Sequence, residues 1–233
     1  MLSVLETAKL DWSDFEKAGE ESRMMVRTLA SDKSLLKDLV YGVENNPELL
    51  AKCERHELLD YIVIYDALDR GFRIRVHLST NVHQERPHDH RFSFSSYIVT
   101  GSYLHTWHRV EEPIYAEQDD EGKRWHSKKL PDPRDEISPD FVKPILVRKE
   151  QAGSCYSLHH SIVHTTLTTP DTVSLFVRGP AEKERSLIYD KDSGKYWWRW
   201  GKQDETSERR KDKRMSITDY REFRDRLHKL GVI

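Results

Sequence analysis

Two histidines separated by one residue open the chemistry of this chain. In Pro87-His88-Asp89-His90-Arg91-Phe92 the pair His88 and His90 stands at i and i+2. In extended backbone such residues project to one face. Two imidazoles side by side repel when both are protonated and are natural partners when a divalent cation holds both. Neutral imidazole is also the commonest protein metal ligand. A third ligand should arrive from a distant strand, and His164 in Leu158-His159-His160-Ser161-Ile162-Val163-His164 is the residue placed to supply it. His159 or His160 stands as an alternative third ligand or as an outer hydrogen-bonding donor, with His159 read as a catalytic residue. The wider context agrees, since 10 of the 12 histidines lie between His77 and His164. His105 and His108 read as ordinary barrel residues.

Groups for holding a substrate accompany these histidines. Arg73, Arg75 and His77 alternate with Phe72, Ile74 and Val76 along one run. If the apolar set packs on other elements, the arginines face a pocket; in the opposite orientation they face water. Arginine forks match carboxylates and phosphates. Arg178, just before Gly179-Pro180, is a further anion-binding candidate, and Trp107 a candidate wall. Tyr97 and Tyr156 are the candidate proton donors, with Tyr103 beside them.

The elements that must position these side chains follow from periodicity. The first 60 residues read as helical: a segment with Ser13 as N-cap running to about residue 30, a second over Ser34 to Val43, and a third that starts at Pro47 and runs towards Leu58. From residue 61 the period changes to that of strands. Apolar and β-branched runs follow over Tyr61–Tyr65, Phe72–Leu78, Phe92–Val99, Tyr103–Val110, Pro144–Glu150, Cys155–Leu158, Val163–Leu167, Thr172–Arg178, Arg185–Tyr189 and Tyr196–Trp200. Turn residues separate them, which suggests an antiparallel sandwich or barrel. Residues 111–143, rich in charge and proline, interrupt the series as a loop or flap that contains Trp125 and His126. The expected organisation is an N-terminal helical segment over 1–60, a barrel over 61–205, and a basic connector with a C-terminal helix over 206–233. In that helix Ser216 and Asp219 form a capping box ahead of Tyr220, Phe223, Leu227 and Leu230. Its apolar face should pack on the domain or on a second subunit, which would make a homodimer.

The motifs resemble those of the cupin superfamily. His88, His90 and Gly101 fit the frame of the first cupin motif, and Gly153 and His164 that of the second. The position of that family's metal-binding glutamate falls on Phe94 or Ser95, neither of which supplies a carboxylate. The resemblance therefore implies a mainly β fold, a cupin-type double-stranded β-helix or jelly-roll barrel. It also implies a metal held by His88, His90 and His164 alone, as in the cysteine dioxygenase-like thiol dioxygenases. There an arginine on an early strand holds the substrate carboxylate. On that basis the expected function is a mononuclear non-haem iron dioxygenase using Fe(II), dioxygen and a small polar, amino-acid-like substrate. Zinc, nickel or manganese in an isomerase, epimerase or lyase is an alternative, as is a ligand-binding cupin without catalysis. The second-ranked oxygenase reading takes His83-x-Glu85 with His164 and Arg178. That order resembles the 2-oxoglutarate oxygenases and would make 2-oxoglutarate a co-substrate.

Composition narrows the classes. The formal net charge of −2 argues against a surface built for nucleic-acid phosphates. No apolar run approaches the length of a membrane span, and no secretory signal is visible at the start. Two cysteines, Cys53 and Cys155, make no disulfide framework, so a cytoplasmic location is expected. Aromatics at 10% are enough for a packed core.

Overall fold

The computed structural model describes residues 2–56, 59–110, 116–118, 125–127, 142–200 and 205–233. Helices α1 (Leu2–Thr7), α2 (Phe15–Ser31), α3 (Lys33–Gly42) and α4 (Pro47–Leu50) come first. Strands follow: β1 (Leu59–Ala67), β2 (Phe72–Ser79), β3 (His83–Gln84), β4 (Phe94–Thr100), β5 (Ser102–Val110), β6 (Ala116–Gln118), β7 (Trp125–Ser127), β8 (Val142–Gln151), β9 (Cys155–Leu158), β10 (Val163–Thr168), β11 (Val173–Arg178), β12 (Ser186–Asp190) and β13 (Lys195–Arg199). Helices α5 (Ser207–Lys213) and α6 (Ile217–Lys229) come after them. The expected flap lies largely outside the described residues, as do the side chains of Trp125 and His126.

The fold is mainly β, as the strand spacing suggests. One sheet runs β1-β2-β11-β4-β9 and a second β3-β10-β5-β8, all their pairings antiparallel. The β12–β13 hairpin joins the second sheet through residues 87–89. His88 bridges both His164 and Ile188, and Tyr189 N donates to Pro87 O at 2.8 Å. Both sheets contribute side chains to one cavity of about 400 Å³, so they face each other across it.

Strand alternation sorts the residues. On β2, Phe72, Ile74 and Val76 are fully buried in a core that also takes Val26 and Leu29 of α2, Leu36 and Val40 of α3, and Tyr220, Phe223 and Leu227 of α6. Burying a side chain such as Phe223 or Leu227 is worth roughly 1.5–3 kcal/mol, which fixes α6 to this core beside α3, where the Tyr220 hydroxyl donates to Val40 O. On β11 the split repeats, with Val173, Leu175 and Val177 in this core and Ser174, Phe176 and Arg178 in the cavity wall. The helices thus cover one face of the sheet and leave the other for chemistry.

Three local expectations change. The N-cap of α2 is Asp14, which accepts from Lys17 N, because Ser13 is turned to Asp11. Helix α4 stops at Leu50 instead of running towards Leu58. Glu54 pairs as an isolated bridge with Tyr61 and with Arg214, and that pairing requires extended backbone. The basic connector is itself a short helix, α5, capped by Thr206 and with Arg210, Lys211 and Lys213 in its last turn, where cations suit the helix dipole. The capping box of Ser216 and Asp219 forms as read.

Candidate metal centre

His88, His90 and His164 come together in the cavity wall, each offering a ring nitrogen within 4.8 Å of the other two. His164 sits on β10. The two other histidines precede β4 on a segment that pairs with β10, where His88 N donates to His164 O at 3.0 Å and His164 N to His88 O at 2.8 Å. This segment is extended rather than a regular strand, yet the i, i+2 geometry still brings the rings of His88 and His90 to 4.8 Å between centroids. The residue between them is held by other partners. Asp89 is buried, takes Lys183 Nζ at 2.5 Å and accepts from Leu187 N at 2.8 Å. It anchors the ligand segment to the hairpin.

The donor set fits a divalent cation. His90 Nε2 lies 2.8 Å from His164 Nε2. Adjacent imidazole nitrogens on an octahedral ion with bonds near 2.1 Å would be about 3 Å apart. His88 Nδ1 is paired with Arg86 O at 2.8 Å, which leaves Nε2 free to ligate. Burial, then the neighbouring imidazoles, holds His90 and His164 well below the usual histidine range, so both rings are neutral donors at pH 7. The imidazole set is compatible with iron, zinc, nickel or copper.

Behind His164 stand His105, which the sequence reads as an ordinary barrel residue, and Glu150, which it does not single out. His164 Nδ1 is 2.9 Å from His105 Nε2, and His105 Nδ1 is 3.8 Å from Glu150 Oε1. Both residues are essentially inaccessible to solvent. The first contact is a hydrogen bond and the second an electrostatic contact too long to be one. Together they fix the ring that would present Nε2 to a metal. Burial raises the Glu150 carboxyl, but His105 and Arg148 outweigh it and leave the pKa lowered. The register that pairs His105 with Thr166 puts His105 diagonally across from His164. Only the strand pairing shows this.

The opposite wall is cationic. Arg73, Arg75, His77 and Arg178 all line the cavity. Arg73 is committed to Asp66 through two hydrogen bonds of 2.9 and 2.8 Å. Arg75 stacks 4.2 Å over the Tyr61 ring and Arg178 3.9 Å over Phe92. Arg75 Nε and His77 Nε2 are buried without a hydrogen-bond partner among the described residues. Burial, together with neighbouring arginines, pushes Arg75 and Arg178 below the usual guanidinium range. Such surroundings favour an anion. Phe92, Phe94 and Phe176 lie between the two walls, with Phe94 edge-on to His90 at 5.0 Å and 4.4 Å from Phe176.

The remaining candidates divide. Tyr156 lines the cavity, its hydroxyl 2.5 Å from that of Tyr103, and burial pushes both phenols upward so that they stay protonated. Tyr97 is a correction. Phe94 and Ser96 face the cavity, so Tyr97 alternates to the other side and packs with the helix-facing core. Ser95 does the same and bonds Ser22 of α2 at 2.7 Å, leaving Phe94 on the metal side. Trp107 pairs in register with His164 and its ring is 6.0 Å from His105, but it is not in the cavity wall. His159 is also displaced: it lies on the β9–β10 turn with His160 and Glu182, apart from the cavity. Glu85, the carboxylate of the 2-oxoglutarate reading, accepts from Thr166 Oγ1 at 2.6 Å and is not in the three-ligand group. The His83 side chain lies outside the described residues.

No protein-family model matches the chain, and no curated protein matches it. Solved structures align with part of the chain at low identity and low TM-score. KdgF from Halomonas sp. is 12% identical at a TM-score of 0.35, covering 56% of this chain and 87% of that one. An RmlC-like cupin from Shewanella frigidimarina is 12% identical at 0.36, covering 56% and 85%. The polyketide cyclase RemF from Streptomyces resistomycificus is 14% identical at 0.33, covering 56% and 70%. Among the described residues, no helix is long and apolar enough to cross a membrane.

Proposed function

We propose that this chain is a cupin-type mononuclear non-haem iron dioxygenase acting on a small polar, amino-acid-like acid. One observation carries the reading: a group of three imidazoles shares a cavity with Arg75 and Arg178, which make no ion pair among the described residues. His88, His90 and His164 would hold iron(II), which supplies binding positions and one-electron chemistry towards dioxygen. Arg75 and Arg178 bind the substrate carboxylate, and Arg73, tied to Asp66, shapes that end. Phe92, Phe94 and Phe176 exclude water between the carboxylate and the metal. The Tyr103–Tyr156 pair keeps a proton on a phenol oxygen, ready to donate to the substrate.

The full chain, purified without oxygen and loaded with iron(II), should retain about one iron that the His90→Ala variant loses. It should take up oxygen with an amino-acid-like acid. Arg75→Met should raise KM about 10- to 100-fold with iron content unchanged, the loss of charge-assisted hydrogen bonds worth about 1.5–3 kcal/mol. Iron retained equally by His90→Ala would sink the proposal.

The Tyr103–Tyr156 hydroxyl pair also favours a second reading, a non-redox metal lyase or isomerase that needs only proton transfer. Turnover with zinc, nickel or manganese in the absence of oxygen would select it.

A further inference from the structure

Outside the cavity a second group of donors converges. His159 and His160, consecutive on the β9–β10 turn, hold their rings 4.0 Å apart at 37°. Glu182, on the loop between β11 and β12, closes the group, and one donor atom from each of the three lies within 4.8 Å of the others. Their side chains are partly buried. Two serines make further contacts to the group, Ser161 to His159 and Ser93 to both His160 and Glu182. Ser161 Oγ lies 2.8 Å from His159 Nδ1, and Ser93 Oγ lies 3.3 Å from His160 Nδ1. Ser93 N donates to Glu182 Oε1 at 2.7 Å, leaving Oε2 3.1 Å from His160.

An ion pair between His160 and Glu182 accounts for two members of this group, and His159 joins them through its ring contact with His160. Two imidazoles and a carboxylate, with His159 Nδ1 and Glu182 Oε1 held by outer partners so that His159 Nε2 and Glu182 Oε2 are left over, form the donor set of a borderline divalent cation, with a fourth position left for water. Ligand atoms on a tetrahedral zinc are about 3.3 Å apart, given bonds near 2.0–2.1 Å.

We infer that His159, His160 and Glu182 form a second metal site, for zinc(II) or a similar divalent cation, separate from the three-histidine centre. The ion would be a staple. His159 meets Phe15, the first residue of α2, edge-on at 5.0 Å. Glu182 N donates to Arg91 O at 2.7 Å, beside the ligand segment. The site therefore ties the helix layer, the β9–β10 turn and the β11–β12 loop together. The inference does not depend on what the cavity catalyses.

Zinc titration of the chelator-treated full chain, followed by dialysis and metal analysis, tests it. Wild type should retain two zinc ions per chain, His159→Ala one, His90→Ala one, and the double variant none. His159→Ala is the primary variant because Glu182 also holds Ser93 N; Glu182→Gln should lose the same ion. One ion lost in His159→Ala and kept in His90→Ala would still establish this site while removing the other. Wild type retaining no zinc, or a single ion that His159→Ala and Glu182→Gln both leave in place, would overturn it.

Discussion

His164 shows how far a single ring depends on its neighbours. Its Nε2 meets His90 and its Nδ1 meets His105, behind which Glu150 is buried with neither oxygen hydrogen-bonded among the described residues. Replacing an outer partner of this kind typically costs 10- to 100-fold in metal affinity. Glu150→Gln should therefore weaken iron(II) binding at the three-histidine centre by about that factor while leaving the fold intact; competition with a colorimetric chelator measures it, and an unchanged affinity would show that His105 is oriented without Glu150. The convergence of the three histidines was legible in the sequence, because the His88-x-His90 spacing survives even where the backbone is not a regular strand. His105 and Glu150 were not, because their role depends on cross-strand register. Tyr97 was misplaced for a related reason: parity along β4 decides its face, and parity can be assigned only once one residue of the strand is known to face the cavity.

Among the elements, the turn before β2 is the most constrained. Gly71 follows a 3-10 turn over Leu68–Arg70 with φ of 90°, and a Cβ there would lie 1.9 Å from Leu10 O. Its own carbonyl accepts from Trp12 Nε1 at 2.8 Å, so the N-terminal segment sits directly on the turn. Gly71→Ala should cost about 2 kcal/mol or more from left-handed strain and the clash. A thermal melt should show this as a drop of several degrees; an unchanged midpoint would mean that the N-terminal segment yields instead. Strand positions were legible from alternation and turn residues to within a few residues. The extent of α4 and the helical state of α5 were not. Pairing of Glu54 with Tyr61 ends the first against its local propensity. A cap and complementary end charges allow the second in a segment whose composition suggests only a solvated connector.

At the scale of the whole molecule, buried neutral histidines set the response to acid. Burial, then Lys191, lowers His108 to about 4, and burial with Arg75 lowers His77 well below its usual value. In the unfolded chain both titrate near 6.5. Below that pH the unfolded state takes up protons that the native state refuses, so stability falls as pH drops from about 6.5 towards 4. His108 alone accounts for about 3 kcal/mol over that window. Urea midpoints of the metal-free protein at pH 7.5, 6 and 5 should decline in order, and a flat series would contradict the buried neutral state. Glu54 and Asp66, lowered to about 2 by their partners against the opposing effect of burial, contribute only at more acid pH. The anchoring of Asp89 by Lys183 and Leu187 has a kinetic consequence. His88 and His90 are held in place by residues nearly a hundred positions later in the chain. During synthesis the ligand segment must wait for the β12 hairpin to leave the ribosome before it can settle. An ion bound at the three histidines, as proposed, would therefore be captured in the last stage of folding, and would report a finished barrel, not a nascent one.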